Sequence, residues 1–374
     1  MTLDQGNAKL FATARPGWLR CGFSLLIRGL FAAAPRPGRG GGSRGRARRR
    51  AVPGRRATGD PRPAGRRLHT SERNEHPVDL STLGTETRND KTSDLDRMSP
   101  TELLLAMNDE DQTVAEAVRR AVPDIAAAVD VIVASLRQGG RLIYLGAGTS
   151  GRIGMLDAVE IPPTFGTTPD RVVGLLAGGA RAFGVAVEGA EDDPTRAVAD
   201  LDAVGLTARD TVVGLAASGR TPYVVGGLDH ARARGAATVS VACNTDAVTS
   251  RHADVAIEVP TGPEVLTGST RLKAGTAEKL VCNMLSTAAM ARLGKVYGNL
   301  MVDMNATNEK LVDRARRIVA EAADTDLDTA ARALAAARGH AKTAIVLLLA
   351  NCTAEEAAAR LRDADDDVRA AVAA

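Results

Sequence analysis

Three short loops in this sequence gather small hydroxyls, glycines and a basic side chain. "GAGTSGR" (146–152) offers Gly148, Thr149 and Ser150, and "ASGRTPY" (217–223) offers Ser218, Gly219, Arg220 and Thr221. "TGSTRLKAGT" (267–276) adds Ser269, Thr270, Arg271 and Lys273. Hydroxyls and free backbone N–H groups at helix starts make a site for a phosphate dianion. The first loop also fits G-x-G-x-x-G, the dinucleotide pattern, which requires an acidic residue after the second strand to hold a ribose. Here "RVVGLLAGG" (171–179) ends in Ala and Gly, and Asp170 lies before it. A terminal phosphate on a small sugar fits the loops better. Helix capping would explain any one of these hydroxyls, but it explains three successive loops poorly.

The loops follow runs that must be strands. "RLIYLG" (141–146), "RVVGLL" (171–176), "TVVGLA" (211–216), "ATVSVA" (237–242) and "VAIEV" (255–259) are short and almost continuously apolar. Helix-length sequence separates them, the pattern of strands buried on both faces of a parallel sheet. "YVVGGLDHARARG" (223–235) has helical spacing and stops at Gly235, and the lead-in over 114–140 breaks at Pro123. Residues 269–294 and the chain from Thr307 onward are helical in pattern, with "AKTAIVLLLAN" (341–351) an apolar helix. The expected fold is α/β: a three-layer α/β/α sandwich around a five-stranded parallel sheet, Rossmann-like, with a small C-terminal helical domain. The expected partition is an N-terminal helical region over 78–131, the sheet domain over 132–295 and the helical domain over 296–374.

Composition narrows the function classes. With 374 residues and 44% hydrophobic content the chain can bury one large core or two modest ones. Residues 1–77 hold 17 of the 48 Lys and Arg but only 4 of the 45 Asp and Glu, so the remaining body is net acidic. That Gly/Pro/Arg-rich extension has little to bury and is expected to be disordered or not part of the native protein. "FSLLIRGLFAAA" (23–34), interrupted by Arg28, is too short to span a bilayer and makes a poor signal segment. Aromatics at 2% are too sparse for a base-stacking surface, so no nucleic-acid partner is expected, and no membrane. Cys21, Cys243, Cys282 and Cys352 are scattered, as are His230, His252 and His340. Neither a zinc site nor a disulfide framework is expected, which fits reduced thiols in the cytoplasm.

The loops resemble those of sugar isomerase (SIS) domains. More narrowly, several long blocks resemble the N-acetylmuramic acid 6-phosphate etherase family. They are "AMNDEDQTV" (106–114), "IYLGAGTSGRIGMLDAVEIPPTFG" (143–166), "VEGAEDD" (187–193) and "GLAASGRTPYV" (214–224), followed by "TGSTRLKAGTAEKLVCNMLST" (267–287) and "GKVYGNLMVDMNATNEKL" (294–311). They fall in the family's order from about Val78 onward and leave the extension unmatched. The resemblance implies a cytoplasmic carbon–oxygen lyase of bacterial cell-wall recycling, a homodimer that consumes water and needs no metal or organic cofactor. It implies cleavage of the D-lactyl ether at C3 of N-acetylmuramic acid 6-phosphate to N-acetylglucosamine 6-phosphate and D-lactate. The family's two functional glutamates carry over to Glu160 in "DAVEIPP" and Glu191 in "EGAEDD".

Two carboxyl groups suit that chemistry. C2–H of the open-chain sugar is acidic beside the C1 aldehyde; its removal lets the C3 oxygen leave, and water then adds at C3. One group takes the C2 proton, while the other protonates lactate and then deprotonates water. Ile161-Pro162-Pro163 would give Glu160 an apolar surrounding that favours its protonated form, which suits the proton donor. Glu191 is then the second carboxyl, at C2, although beside Asp192, Asp193 and Pro194 it also reads as a solvated helix-start acid. Ten residues separate Ser150 from Glu160, about 15 Å if helical. Either the chain turns back at Pro162-Pro163, or a second subunit completes the site. Two other functions compete: a phosphosugar aldose–ketose isomerase, and a non-enzymatic sugar-phosphate sensor.

Overall fold

A computed structural model describes residues 83–185, 187–304 and 309–374. The extension over 1–77 lies outside the described residues. Five strands form one parallel sheet: β1 Leu142–Gly146, β2 Val172–Leu176, β3 Thr211–Ala216, β4 Ala237–Ala242 and β5 Val255–Glu258, in the order β2-β1-β3-β4-β5. All five lie within a residue or so of the expected runs. The chain passes from β1 outward to β2 and then back across to β3, so the topological switch falls between β1 and β3, where open α/β sheets bind ligands.

Alternation along each strand divides the core. Leu142 and Tyr144 of β1 face one layer, packed with α1 (Pro100–Arg120), α2 (Val122–Arg137), α3 (Gly148–Phe165) and α7 (Lys273–Arg292). Ile143 and Leu145 face the other, packed with α5 (Pro194–Ala203) and α6 (Pro222–Ala233). One short helix, α4 (Arg181–Gly184), follows β2. The period of two that sorts these side chains makes both faces apolar, which is why the strands read as continuous runs. Pro123 does mark a break: α1 stops at Arg120 and α2 restarts with Pro123 in its first turn. The expected boundary at 131/132 falls inside α2.

Ion pairs pin the amino ends of the strands. Arg141 donates from Nε and Nη2 to Asp210 at 3.1 and 2.8 Å, which ties the start of β1 to the start of β3. Arg171, ahead of β2, donates to the carbonyls of Leu136 and Gly140 at 2.7 and 2.8 Å, closing the end of α2. At the carboxyl ends, Glu258 of β5 accepts from the Asp246 and Ala247 N–H groups at 2.9 and 3.0 Å, and β1 and β3 run into the polar loops.

After α7 the chain forms α8 (Glu309–Ala322), α9 (Leu327–Ala336), α10 (Ala341–Leu349), α11 (Ala354–Asp363) and α12 (Val368–Ala373). Their apolar faces bury a core of their own around Ile345, Val346, Val319 and Leu361. Among the described residues no helix is long and apolar enough to cross a membrane.

Candidate active site

The loop after β1 turns at once into α3. Gly146 and Gly151 make that possible: a Cβ on Gly146 would stand 2.8 Å from the Gly151 backbone. Gly148 has φ +53°, a left-handed position with open space before it. No side chain caps α3, so the N–H groups of its first turn remain available, and Ser150 is buried among them. The hydroxyls here are therefore not helix caps.

The second loop stands beside the first because β3 pairs with β1, Gly146 opposite Leu215. Asn244, just past β4, holds it by donating to the carbonyls of Ala217 and Ser218 at 3.2 and 3.3 Å. Gly219 takes φ +72° and its carbonyl accepts from the Thr249 N–H. No side chain caps α6 either. Pro222 offers no N–H and the next amides of α6 are bonded, but Arg220 keeps a buried Nη1 without a hydrogen-bond partner among the described residues. The Tyr223 N–H donates to the Glu191 carbonyl at 3.0 Å, which moors "EGAEDD" against the start of α6.

The third loop differs. Glu264 accepts from the N–H groups of Lys273 and Ala274, both at 3.0 Å, so the α7 terminus already holds a carboxylate. Ser269 and Thr270 remain half-buried ahead of it, and Arg271 is exposed. Lys273, expected on the phosphate, is instead buried in an ion pair with Glu110 of α1 at 2.5 Å. Lys91 reaches the other Glu110 oxygen at 2.8 Å. α7 nevertheless touches the first loop, since Gly275 faces the Thr149 methyl.

The two glutamates stand apart from their expected settings. α3 does not turn back at Pro162-Pro163; it continues to Phe165 and ends on Gly166, left-handed at φ 63°. The prolines remove two donors near its end, but Ile161 and Phe165 anchor that turn in the core. Nor does Glu160 have an apolar surrounding: its side chain is 59% exposed, and Oε2 lies 3.5 Å from Lys279 Nζ. Asp157, one turn earlier, is the buried acid, accepting from Tyr144 and Ser286 at 2.9 and 3.1 Å, and burial pushes its carboxyl up. Asp193, not Glu191, caps α5. Glu191 is exposed, and its carboxyl group has no hydrogen bond or ion pair among the described residues.

One buried acid had no marker in the sequence. Glu278 of α7, in "TAEK", is fully buried, with Ser150 as its polar neighbour. It lies inside a block that carries the resemblance, but its type and spacing alone assign it nothing.

Switch-point loops and uncapped helix starts on a parallel sheet define a SIS-type α/β domain. The glucokinase regulatory protein N-terminal SIS domain matches residues 124–232, and the SIS domain matches residues 201–288. A Mycolicibacterium smegmatis protein named N-acetylmuramic acid 6-phosphate etherase is 71% identical over 297 residues, 79% of this chain and 100% of that protein. A Geobacillus protein of the same name is 60% identical over 293 residues, 78% and 99% of the two chains. A phosphoheptose isomerase structure from Neisseria gonorrhoeae covers 51% of this chain and 99% of its own, at 15% identity and a TM-score of 0.41. The chain belongs to the N-acetylmuramic acid 6-phosphate etherase family.

Proposed function

We propose that this protein cleaves the D-lactyl ether of N-acetylmuramic acid 6-phosphate, giving N-acetylglucosamine 6-phosphate and D-lactate. The observation that carries this is the 71% identity across the whole of the smegmatis etherase. The open α3 terminus at the switch point, with the Arg220 guanidinium of the neighbouring loop, supports the phosphate subsite such a substrate requires. Gly148, Thr149, Ser150, Ser218, Gly219, Arg220 and Thr221 form it, with Ser269 and Thr270 at its edge. Lys273 acts there through its pair with Glu110, by fixing the start of α7.

Phosphate binding fixes C6, and the open-chain sugar then presents C2 and C3 to the carboxyl groups. Glu191 takes the C2 proton. The C3–O bond breaks as Glu160 gives its proton to the lactyl oxygen, leaving an α,β-unsaturated aldehyde. Glu160, now a carboxylate, takes a proton from water as that water adds at C3, and the C2 proton returns. The net change is one water consumed and one ether cut.

Glu160 comes to the site from a second copy of the chain. The unbroken α3 holds it about 15 Å along the axis from Ser150. Leu156 and Val159, 41% and 69% exposed, flank it as an apolar patch that a homodimer would cover. The enzyme works in the cytoplasm, and the core that α8–α12 bury supports a C-terminal helical domain over 296–374. The test is an assay of D-lactate released from N-acetylmuramic acid 6-phosphate by the purified protein. Sustained turnover is expected; sugar isomerisation without lactate would overturn the proposal.

A further inference from the structure

Glu278 sits one turn past Gly275, the residue at which α7 meets Thr149. Its exposure is 0%, and neither carboxyl oxygen completes a hydrogen bond among the described residues. Native interiors rarely leave a polar group in that condition unless it has a task. Burial pushes the acid up to about 8, offset in part by the Ser150 hydroxyl.

No cation answers it. Of the two lysines on α7, Lys273 pairs with Glu110 of α1 and Lys279 faces Glu160 of α3. The acids nearby are engaged elsewhere: Glu264 with the α7 amides, Asp157 with Tyr144 and Ser286. Cys282 on α7 and Cys243 beyond β4 are buried thiols, both pushed far up by burial and so uncharged. α2 turns only uncharged side chains inward.

We propose that Glu278 is a positioning residue of the phosphate subsite: as an uncharged acid it holds the Ser150 hydroxyl so that the Ser150 proton points at the bound phosphate. The acid O–H donates to Ser150 Oγ, and the Ser150 O–H donates to a phosphate oxygen. An ionised Glu278 would instead capture the Ser150 proton and set a second negative charge behind the dianion. The inference rests on the phosphosugar reading above.

The test is calorimetric binding of N-acetylglucosamine 6-phosphate from about pH 6.5 to 9.5, in buffers of different ionisation enthalpy. Above about pH 8 the wild-type Kd rises roughly tenfold per pH unit, with about one proton taken up per ligand bound. Glu278→Gln keeps a neutral group of the same shape, binds like wild type at neutral pH, and shows neither the rise nor the uptake. Glu278→Ala binds about tenfold more weakly at every pH below 8. A flat wild-type profile, or an equally steep one in Glu278→Gln, overturns the inference and leaves the phosphosugar reading standing. No binding by folded wild type at any pH overturns both. Should Glu278→Gln fail to fold, wild-type proton uptake above about pH 8 and a protonated-carboxyl infrared band at neutral pH still decide, and their absence overturns the inference.

Discussion

Ser150 and Glu160 share one helix, but the proposed mechanism gives them different tasks, and substitution separates them. Ser150→Ala removes a hydrogen bond to a charged group, worth about 1.5–3 kcal/mol, so KM should rise ~10- to 100-fold with little change in kcat. Glu160→Gln removes a proton donor, so kcat should fall ~100- to 10,000-fold while phosphosugar affinity stays within a few-fold. Steady-state kinetics with calorimetric binding checks both; equal losses in kcat and affinity for either variant would contradict the division. The hydroxyl loops were legible because each follows a buried strand, which forces the next residues to the sheet edge. Lys273 was misread because its partner, Glu110, is 163 residues away and only packing of α1 on α7 unites them. Glu278 could not be found at all, since its character comes from burial rather than from residue type or spacing.

α7 is the element on which the site leans, and two buried acids, Glu110 of α1 on its Lys273 and its own Glu278, respond to pH in opposite senses. Burial alone would raise Glu110, but Lys273 and Lys91 outweigh it and hold it below the ordinary range. The stability it contributes is therefore present above about pH 4.3 and is lost as pH falls through its lower folded value. Glu278 runs the other way: ionised when unfolded but protonated when folded up to about 8. Wild-type stability should fall as pH rises from about 4.5 toward 8, by at most about 1.4 kcal/mol per unit. Denaturant titrations should find Glu278→Gln more stable than wild type at pH 7 and flatter across that window; parallel curves would contradict a raised acid. The strands were legible to a residue or so because both faces of the sheet bury apolar side chains. The course of α3 through Pro162-Pro163 was not, because the anchoring of Ile161 and Phe165 in the core overrides the local signal for a turn.

At the scale of the whole molecule, the proposed site is a joint product of two chains, because α3 separates Glu160 from Ser150. Mixing Ser150→Ala and Glu160→Gln proteins tests this at substrate far below KM, where both variants are slow, because a mixed dimer has one site with both wild-type groups and one with neither. At such substrate levels equal mixing should give about a quarter of wild-type activity, against about a tenth or less for either variant alone. No recovery, with exchange of subunits demonstrated, would place Glu160 in the site of its own chain. Sequence alone left this choice open, since it fixes separation along a helix but not which copy lies across from it.

In the proposed reaction the sugar C3–O bond is cut by elimination, and water then adds to the unsaturated aldehyde at C3. The most direct measurement is mass analysis of both products after turnover in oxygen-18-labelled water. The account predicts one label on the C3 hydroxyl of N-acetylglucosamine 6-phosphate and none in D-lactate. Label in the lactate, with the sugar unlabelled, would mean cleavage on the other side of the ether oxygen and would contradict it.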